Sequence, residues 1–244
     1  MNIVSETLAW LTDPVNWSGP NGIPVRLAEH VGISLAALLI AIAIALPIGL
    51  WIGHTGRGVG LAINSSIIWR ALPSIAVIAI VLPITAAIDP QAGFKIYPAV
   101  IAMVVLAVPP IMVNAYSGIS GVDRDLIEAG RGLGLTERQL LTRVELPLSV
   151  DVILTGIRSG TVQILATATL AAIFGFGGLG RYLVNGFAQR DIGQVMGGAV
   201  LVAMLVIVTD VIFAVGQRLI APRSKRLRPS DHSSVSQAPG VSGI

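Results

Sequence analysis

The sequence predicts an all-α, polytopic membrane protein with about five transmembrane helices, and three observations support this fold class. Hydrophobic residues make up 54% of the chain and charged residues 12%, whereas a soluble domain carries about 25% charged residues. Five uncharged stretches approach or exceed the roughly 17–20 residues that cross a bilayer as a helix. Their apolar residues are continuous and lack the alternation of membrane β-strands. The predicted spans are residues 31–52, 71–88, 96–122, 159–180 and 192–209.

Both ends of the chain are predicted to flank the transmembrane domain, which we place at residues 27–221. Residues 1–26 lack the basic start and apolar core of a signal peptide, so we interpret them as mature sequence on the outer side. Trp10 and Trp17 suit a short segment at the membrane surface, and a loose arm fits this stretch equally well. Residues 222–244 are basic and then rich in serine, proline and glycine, which predicts a disordered cytoplasmic tail.

The distribution of lysine and arginine predicts the orientation of the chain. With five spans and the N-terminus outside, eleven basic residues fall in cytoplasmic segments and four in outer segments, in agreement with the positive-inside rule. We therefore interpret the pI near 9.8 as a consequence of topology and expect no nucleic-acid partner. The cytoplasmic group is Arg57, Arg70, Arg124, Arg131, Arg138, Arg143, Arg218, Arg223, Lys225, Arg226 and Arg228, and the outer group is Arg26, Lys95, Arg181 and Arg190.

Few residues in the chain suit catalysis or metal binding. There is no cysteine, which excludes disulfides, thiol catalysis and thiolate metal sites. His30, His54 and His232 are scattered without evident partners. The four glycines between residues 175 and 180 do not follow a strand and lack the Lys-Ser/Thr pair of a phosphate-binding loop. We expect a flexible turn there, no cofactor and no enzymatic activity.

Residues 118–147 form a charged island within this apolar chain. Asp123 is the predicted N-cap of a first helix, and Gly134 is the left-handed residue predicted to end it. Thr136 and Gln139 have the spacing of a capping box, which marks the start of a second helix. The island holds nine of the 29 charged side chains: Asp123, Arg124, Asp125, Glu128, Arg131, Glu137, Arg138, Arg143 and Glu145.

Two glycines within the first of these helices require an explanation. Gly130 and Gly132 each cost about 1 kcal/mol of helix propensity relative to alanine. A helix that tolerates this cost is expected to gain a close backbone contact with another surface. Two hypotheses fit the spacing equally well: a docking surface for a partner, and a solvated hairpin loop without one.

The stretch EAGRGLGLTERQLLTRVELP, residues 128–147, resembles the cytoplasmic EAA loop of permease subunits of binding-protein-dependent ATP-binding-cassette importers. Gly130 stands where that motif has a third small residue, and Val144 stands in an isoleucine position. The resemblance implies a type I importer permease fold, in which this loop forms a coupling helix that docks on a cytoplasmic ATPase subunit. The residues expected to serve that coupling are Glu128, Ala129, Gly130, Gly134, Leu146 and Pro147.

Three further stretches are similar to the osmoprotectant branch of this family, whose members import glycine betaine, choline, carnitine or proline betaine. They are TATLAAIFGFGGLGRYL at residues 167–183, GIRSGTV at 156–162 and RALPSIAVIAI at 70–80. Methionine-type permeases share parts of these stretches, so that alternative stays open. A secondary transporter is less favoured, because no internal repeat is evident and few charges lie within the spans.

The resemblance also implies a location and a set of partners. Permeases of this kind lie in the bacterial cytoplasmic membrane and work with two copies of an ATP-binding subunit. They pair with a second permease, identical or paralogous, and receive their ligand from an extracytoplasmic substrate-binding protein.

Arg158 and Asp210 are charged residues inside helices that must cross the bilayer, and we predict that they form an ion pair. At 1.5 Å per residue, Arg158 lies about 15 Å and Asp210 about 12 Å along their helices from the cytoplasmic surface. An arginine that reaches the interface and an aspartate bonded locally are the alternatives. Asn114 and Gln163 are uncharged polar residues in the spans, which either line a pathway or make hydrogen bonds between helices.

Overall fold

The computed structural model describes residues 2–60, 63–64, 66–67, 72–91, 93 and 96–220. Within these ranges all regular secondary structure is helical, in agreement with the predicted fold class. The α-helices are α1 (Ile3–Thr12), α2 (Ile23–Thr55), α3 (Ser74–Ile88), α4 (Tyr97–Ser120), α5 (Arg124–Gly132), α6 (Glu137–Leu140), α7 (Leu146–Ala168), α8 (Gly180–Gln189) and α9 (Ile192–Ile220). Segments Pro14–Trp17 and Thr169–Phe174 are 3₁₀-helical, and Leu141–Glu145 is a π-helical turn. The predicted disordered tail at residues 222–244, with His232, lies outside the described residues.

Among the described residues, three helices, α2, α4 and α9, are long and apolar enough to cross a membrane. They correspond to the first, third and fifth predicted spans. The second predicted span corresponds to α3, a shorter apolar helix of 15 residues. Long apolar segments are readily found from composition, because a helix that meets lipid on many sides has few positions that tolerate charge.

The fourth predicted span, residues 159–180, is displaced in the structure. Helix α7 begins at Leu146 and ends at Ala168. A 3₁₀ segment and a turn with positive φ angles at Gly175 and Gly178 occupy the rest of the predicted stretch. The prediction began after Arg158 because charge was taken to end a span. The structure includes Arg158 within the helix because Asp210 of α9 gives it a partner.

Small residues bring the central helices α2, α4 and α7 into close contact. A Cβ added at Gly49 of α2 would lie 2.6 Å from the carbonyl oxygen of Met112 on α4. A Cβ added at Gly156 of α7 would lie 2.6 Å from the Cβ of Asn114 on α4. Such close approach is how helices associate within a bilayer, where leaving lipid gives apolar side chains little advantage. Fully buried alanines extend the contact along α2: Ala37, Ala41 and Ala45.

The N-terminal segment packs against the last two helices. The rings of Trp10 on α1 and Tyr182 on α8 meet edge to face, with their centroids 5.0 Å apart. The Trp10 ring also lies against Gly197 of α9. The Tyr182 hydroxyl donates a hydrogen bond to the carbonyl oxygen of Asn21 at 2.7 Å. Of the two alternatives that the sequence left open, a loose arm is therefore wrong.

Candidate functional site

The charged island folds into a helix–turn–helix between the end of α4 and the start of α7, which we call the charged hairpin (residues 123–145). The Asp123 side chain accepts a hydrogen bond from the backbone N–H two residues on, at 3.0 Å, so the predicted N-cap is confirmed. Gly134 has a φ of 80°, which confirms the predicted left-handed turn. Thr136 and Gln139 make both hydrogen bonds of the capping box. The charged hairpin therefore has a defined shape set by its own sequence.

The glycines of the charged hairpin have different environments. A Cβ added at Gly130 would lie 2.6 Å from Cδ2 of Leu140, which is fully buried. The close backbone contact expected from the sequence is therefore made by α6 of the same hairpin. An added Cβ at Gly132 or Gly134 meets nothing within 4 Å. Gly134 is required by its left-handed backbone, whereas nothing in the described residues explains Gly132.

One side of α5, together with Leu133 directly after it, carries exposed apolar residues. Leu126 is 50% exposed and Leu133 is 85% exposed, and Ala129 between them is exposed as well. Residues three and four apart share one side of a helix, so these three residues form what we call the exposed stripe. Glu128 is also exposed, but it lies toward the opposite side of α5, where it lines a cavity together with Ile127 and Arg131. The exposed stripe gives the charged hairpin an apolar surface, with the exposed Asp125 beside it.

A π-helical turn joins the charged hairpin to α7. It covers Leu141–Glu145 and directly precedes Leu146, which is partly buried, and Pro147, which is exposed. Pro147 has no N–H to donate to the carbonyl of Arg143, which accounts for the irregular hydrogen bonding over the preceding turn. π-helical turns frequently occur at functional sites, and this one lies where the hairpin meets a long helix.

A polar network connects the charged hairpin to the end of α2. Arg131 donates two hydrogen bonds to Glu137, at 3.0 and 3.1 Å. His54 of α2 approaches Glu137 with Nε2 at 3.3 Å and Glu145 with Nδ1 at 2.6 Å. The expectation that His54 lacks a partner is therefore wrong, because folding brings His54 to a residue 91 positions away.

The charges on the hairpin surface stabilise each other. The hydrogen bond from Arg131 lowers the pKa of Glu137 below the ordinary glutamate value, and the same bond raises the pKa of Arg131. Glu137 is therefore ionised at neutral pH and remains an acceptor for its neighbours.

The other described histidine is also bonded. His30 is buried, and its Nε2 lies 3.1 Å from the carbonyl oxygen of Leu165. Within the ranges that the structure describes, no group of three or more His, Cys, Asp or Glu side chains is arranged to hold a metal ion.

The structure brings Arg158 of α7 and Asp210 of α9 into direct contact. The Nε and Nη2 atoms of Arg158 donate to the two carboxylate oxygens, each at 2.5 Å. Gln217 accepts from Arg158 at 3.5 Å and donates to the Thr155 hydroxyl at 3.0 Å. A two-pronged arginine–carboxylate contact constrains geometry as well as distance. The contact thus sets the register of α9 against α7.

A cavity of about 370 Å³ lies among α3, α4 and α7. Its hydroxyl and amide groups come from Ser74, Ser159 and Gln163, and its lining residues carry no charge. The Gln163 amide nitrogen makes a long contact of 3.5 Å with the Thr167 hydroxyl, which leaves it available to a ligand. The remaining lining residues are Leu72, Leu106, Pro109 and Pro110.

The two prolines of α4 alter the hydrogen bonding next to this cavity. Because proline has no N–H, Pro109 and Pro110 cannot donate to the carbonyls of Val105 and Leu106. These oxygens lose their regular helical donors. Asn114, one turn further on, donates to the Pro110 carbonyl at 2.7 Å, so its amide bonds within its own helix and not to a neighbouring one. The wall of the cavity therefore includes backbone without the usual helical pairing.

Comparison with known proteins decides the family. Residues 24–226 match the family of binding-protein-dependent transport system inner membrane components. The chain belongs to that family. It is therefore a permease component of the inner membrane, and its relatives are transport permeases and not enzymes.

Several relatives of the permease cover most of its length. It is 38% identical over 194 residues to the choline transport system permease protein OpuBB of Bacillus subtilis, an alignment that covers 80% of this chain and 86% of the relative. It is 37% identical over 193 residues to the carnitine transport permease protein OpuCB of Listeria monocytogenes, covering 79% and 84%. Among solved structures, an inward-facing form of the MetNI methionine ABC transporter superposes with a TM-score of 0.70 at 21% identity, covering 86% of this chain and all of that chain. The type I importer permease fold is thus shared.

Parts of the permease site carry little sequence signal. His54 and Glu145 are far apart in the sequence, and no local pattern links them. Ser159 and Gln163 are four residues apart in an apolar helix, a spacing that places both on one face. That spacing is the sequence signal that could have indicated a shared polar face lining the cavity. Ser74 contributes from a separate helix and has no such signal.

The contact between Arg158 and Asp210 can be tested by a double-mutant cycle. We expect Arg158→Gln and Asp210→Asn each to lower the unfolding temperature of the permease by several degrees, because each leaves one charge without its partner. The double variant should lose less than the sum of the single losses. Thermal unfolding of the purified proteins in detergent measures the four values. Gln217→Ala, which removes only the longer contacts, is the control and should have the smallest effect. Strictly additive losses would contradict a coupled pair.

Proposed function

We propose that this permease forms the translocation pathway of an ATP-driven importer for an osmoprotectant such as glycine betaine, choline or carnitine. The observation that carries the proposal is the family match together with relatives named for choline and carnitine transport over about four-fifths of the chain. The methionine transporter, at 21% identity, supports the fold and not the substrate. A methionine-type or other amino-acid importer is therefore the alternative.

The charged hairpin is proposed as the docking surface for a cytoplasmic ATP-binding subunit. The exposed stripe places apolar side chains in contact with water. Exposed apolar patches of this kind mark sites where a protein partner binds. An apolar centre with a polar rim is typical of protein interfaces, and the exposed Asp125, beside the exposed stripe, supplies part of that rim. Gly130 and Gly134 would act by shaping the hairpin. The proposed coupling residues are Glu128, Ala129, Gly130, Gly134, Leu146 and Pro147.

The proposed topology has five spans within residues 27–221, an outer N-terminus and a cytoplasmic charged hairpin. The excess of lysine and arginine in the segments that would face the cytoplasm supports this orientation. A substrate-binding protein would then deliver the ligand on the outer side, near α1 and α8. Two ATP-binding subunits would serve this permease and a second copy or paralogue.

The cavity among α3, α4 and α7 is proposed as part of the translocation pathway. A quaternary ammonium group carries positive charge without an N–H donor, so it is attracted by oxygen atoms and does not need a hydrogen-bond acceptor in one fixed place. Hydroxyl, amide and carbonyl oxygens offer such attraction without a full negative charge. A pathway must bind well enough to admit its substrate and weakly enough to release it, which an uncharged lining satisfies.

Uptake by the intact importer tests the substrate class. The complex, purified from its own membranes through a tag on the permease, is reconstituted in proteoliposomes and supplied with labelled glycine betaine, choline, carnitine or methionine. We expect ATP-dependent uptake of at least one quaternary ammonium compound, and none with a non-hydrolysable nucleotide. Uptake of methionine alone would favour the alternative.

Cysteine labelling tests the topology, because the natural chain has no cysteine. Arg138→Cys lies in the charged hairpin and Gln189→Cys at the end of α8, and both positions are exposed. In sealed right-side-out vesicles, a membrane-impermeant maleimide should label the second variant and reach the first only after permeabilisation. Labelling of Arg138→Cys in sealed vesicles would contradict the proposed orientation.

Substitutions in the charged hairpin test docking. Glu128→Lys reverses an exposed charge of the charged hairpin, and Gly134→Val makes the left-handed turn less favourable by about 1–2 kcal/mol. Both should abolish ATP-dependent uptake while insertion in the membrane stays normal. Gly175→Val is the matched control, because Gly175 also has a positive φ, 84°, and open space around it, but lies outside the hairpin. Full transport by both hairpin variants would refute the docking assignment.

A further inference from the structure

His54 lies in the last turn of α2 and reaches two carboxylates of the charged hairpin. Its Nδ1 is 2.6 Å from Glu145 Oε2, and its Nε2 is 3.3 Å from Glu137 Oε2. The hairpin follows α4 and precedes α7 in the chain. Helix α2 is distant from it in the sequence and contacts it through the His54 side chain. His54 also lies outside the stretch by which the hairpin resembles coupling loops.

The two carboxylates differ in burial. The Glu145 side chain is 4% exposed and the Glu137 side chain is 58% exposed. Water screens an exposed pair, so the contact with Glu137 contributes little, and Glu137 is already paired with Arg131. A buried carboxylate needs a partner to offset its desolvation. The His54–Glu145 contact, which we call the tether, is therefore the stronger of the two.

The space beside the tether is open. A cavity of about 460 Å³ separates α5 from the ends of α2 and α4. Ile127, Glu128 and Arg131 line it from the hairpin, and Gly53 and Ile119 line it from the two helices. On this side the hairpin does not rest on α2 through continuous apolar packing. His54 and Glu145 also line this cavity, and the tether joins α2 to the last residue of the hairpin, directly before α7.

Helix α2 is in turn fixed to α4. A Cβ added at Gly53 would lie 2.6 Å from the Cβ of Ile119, and one added at Gly49 would lie 2.6 Å from the Met112 carbonyl oxygen. Densely packed interiors transmit displacement because they deform little. A movement of the hairpin that reaches His54 would therefore reach α4, whose two prolines border the cavity of about 370 Å³.

We propose that His54 is a positioning residue of the importer. Through the tether it holds the charged hairpin in register with α2 and α4, so that movement imposed on the hairpin by the ATPase reaches the translocation pathway. The transmission of movement rests on the proposed function, whereas the ordering of the hairpin by the tether does not.

Amide hydrogen exchange of residues 123–145 in the purified full-length permease tests the tether. His54→Ala should raise exchange there by about tenfold or more, because it removes the contact that joins the hairpin to α2. Thr55→Ala is the matched control, because the bonds of this hydroxyl stay within α2 and the turn after it. It should leave exchange unchanged. Unchanged exchange in His54→Ala would overturn the proposal.

The amount of labelled osmolyte imported per ATP hydrolysed tests the transmission of movement. In proteoliposomes with the complete importer, His54→Ala should lower this ratio several-fold while ATP hydrolysis continues. His54→Gln keeps an uncharged group that can bond to Glu145, so it should recover part of the ratio. The glutamine variant also provides the test if the alanine variant does not assemble. If hydrogen exchange is fast but the osmolyte imported per ATP hydrolysed is unchanged, the transmission of movement through His54 is refuted.

A double variant separates positioning from charge compensation. His54→Ala with Glu145→Ala removes the buried charge together with its partner, so the unfolding temperature should return toward the natural value. Exchange should stay fast and the import ratio low. Recovery of slow exchange and a normal ratio would mean that His54 only supplies a partner for the buried carboxylate of Glu145, and the proposal would be wrong.

The outcomes distinguish this proposal from the proposed function. If the natural complex imports no osmolyte, the proposed function fails, and fast exchange in His54→Ala would still support the tether. If the natural complex imports normally and His54→Ala behaves like it in both measurements, the tether is wrong and the proposed function stands.

Discussion

Close van der Waals contact of α4 with both α2 and α7 is the constraint on which the rest of the permease depends. Within a bilayer, helices associate where small residues let their backbones approach. Gly49 and Gly156 provide such points, and a Cβ added at Gly160 would lie 2.9 Å from Cδ1 of Ile111. Because α4 contacts both neighbours, its packing sets the position of the cavity and of the charged hairpin that follows it. A larger residue at any of these glycines would separate the helices that define both features.

Polar side-chain contacts act on this apolar framework by setting register. Arg158 and Asp210 connect α7 to α9, and His54 and Glu145 connect α2 to the charged hairpin. An unpaired charge at membrane depth is costly, and a buried carboxylate without a partner is costly in any protein. Each pair therefore penalises sliding or rotation of the elements that it joins. Apolar packing alone is less specific, because similar side chains can interdigitate in more than one register.

Two kinds of exposed apolar surface occur in the permease, and they have different explanations. Only 6% of the most apolar stretch of α9 is buried within the chain. This is expected for a helix that is surrounded by lipid or by another permease. The exposed stripe instead lies in the charged hairpin, which holds nine of the 29 charged side chains. Lipid does not account for an apolar patch among ionised side chains, whereas the proposed docking of an ATP-binding subunit would account for it.

The sequence by itself determined the features that depend on nearby residues. The caps at Asp123 and Thr136 and the left-handed turn at Gly134 involve bonds over two to four positions, so they could be predicted without the fold. Long apolar runs identified α2, α4 and α9 for the same reason. The pairing of Arg158 with Asp210 could be anticipated because the regular rise of a helix converts sequence position into depth. Only the tertiary structure decided where α7 begins and ends, which surface Gly130 packs against, and which carboxylate meets His54. Those outcomes depend on side chains from distant segments competing for the same space, and no local pattern encodes which of them will be neighbours.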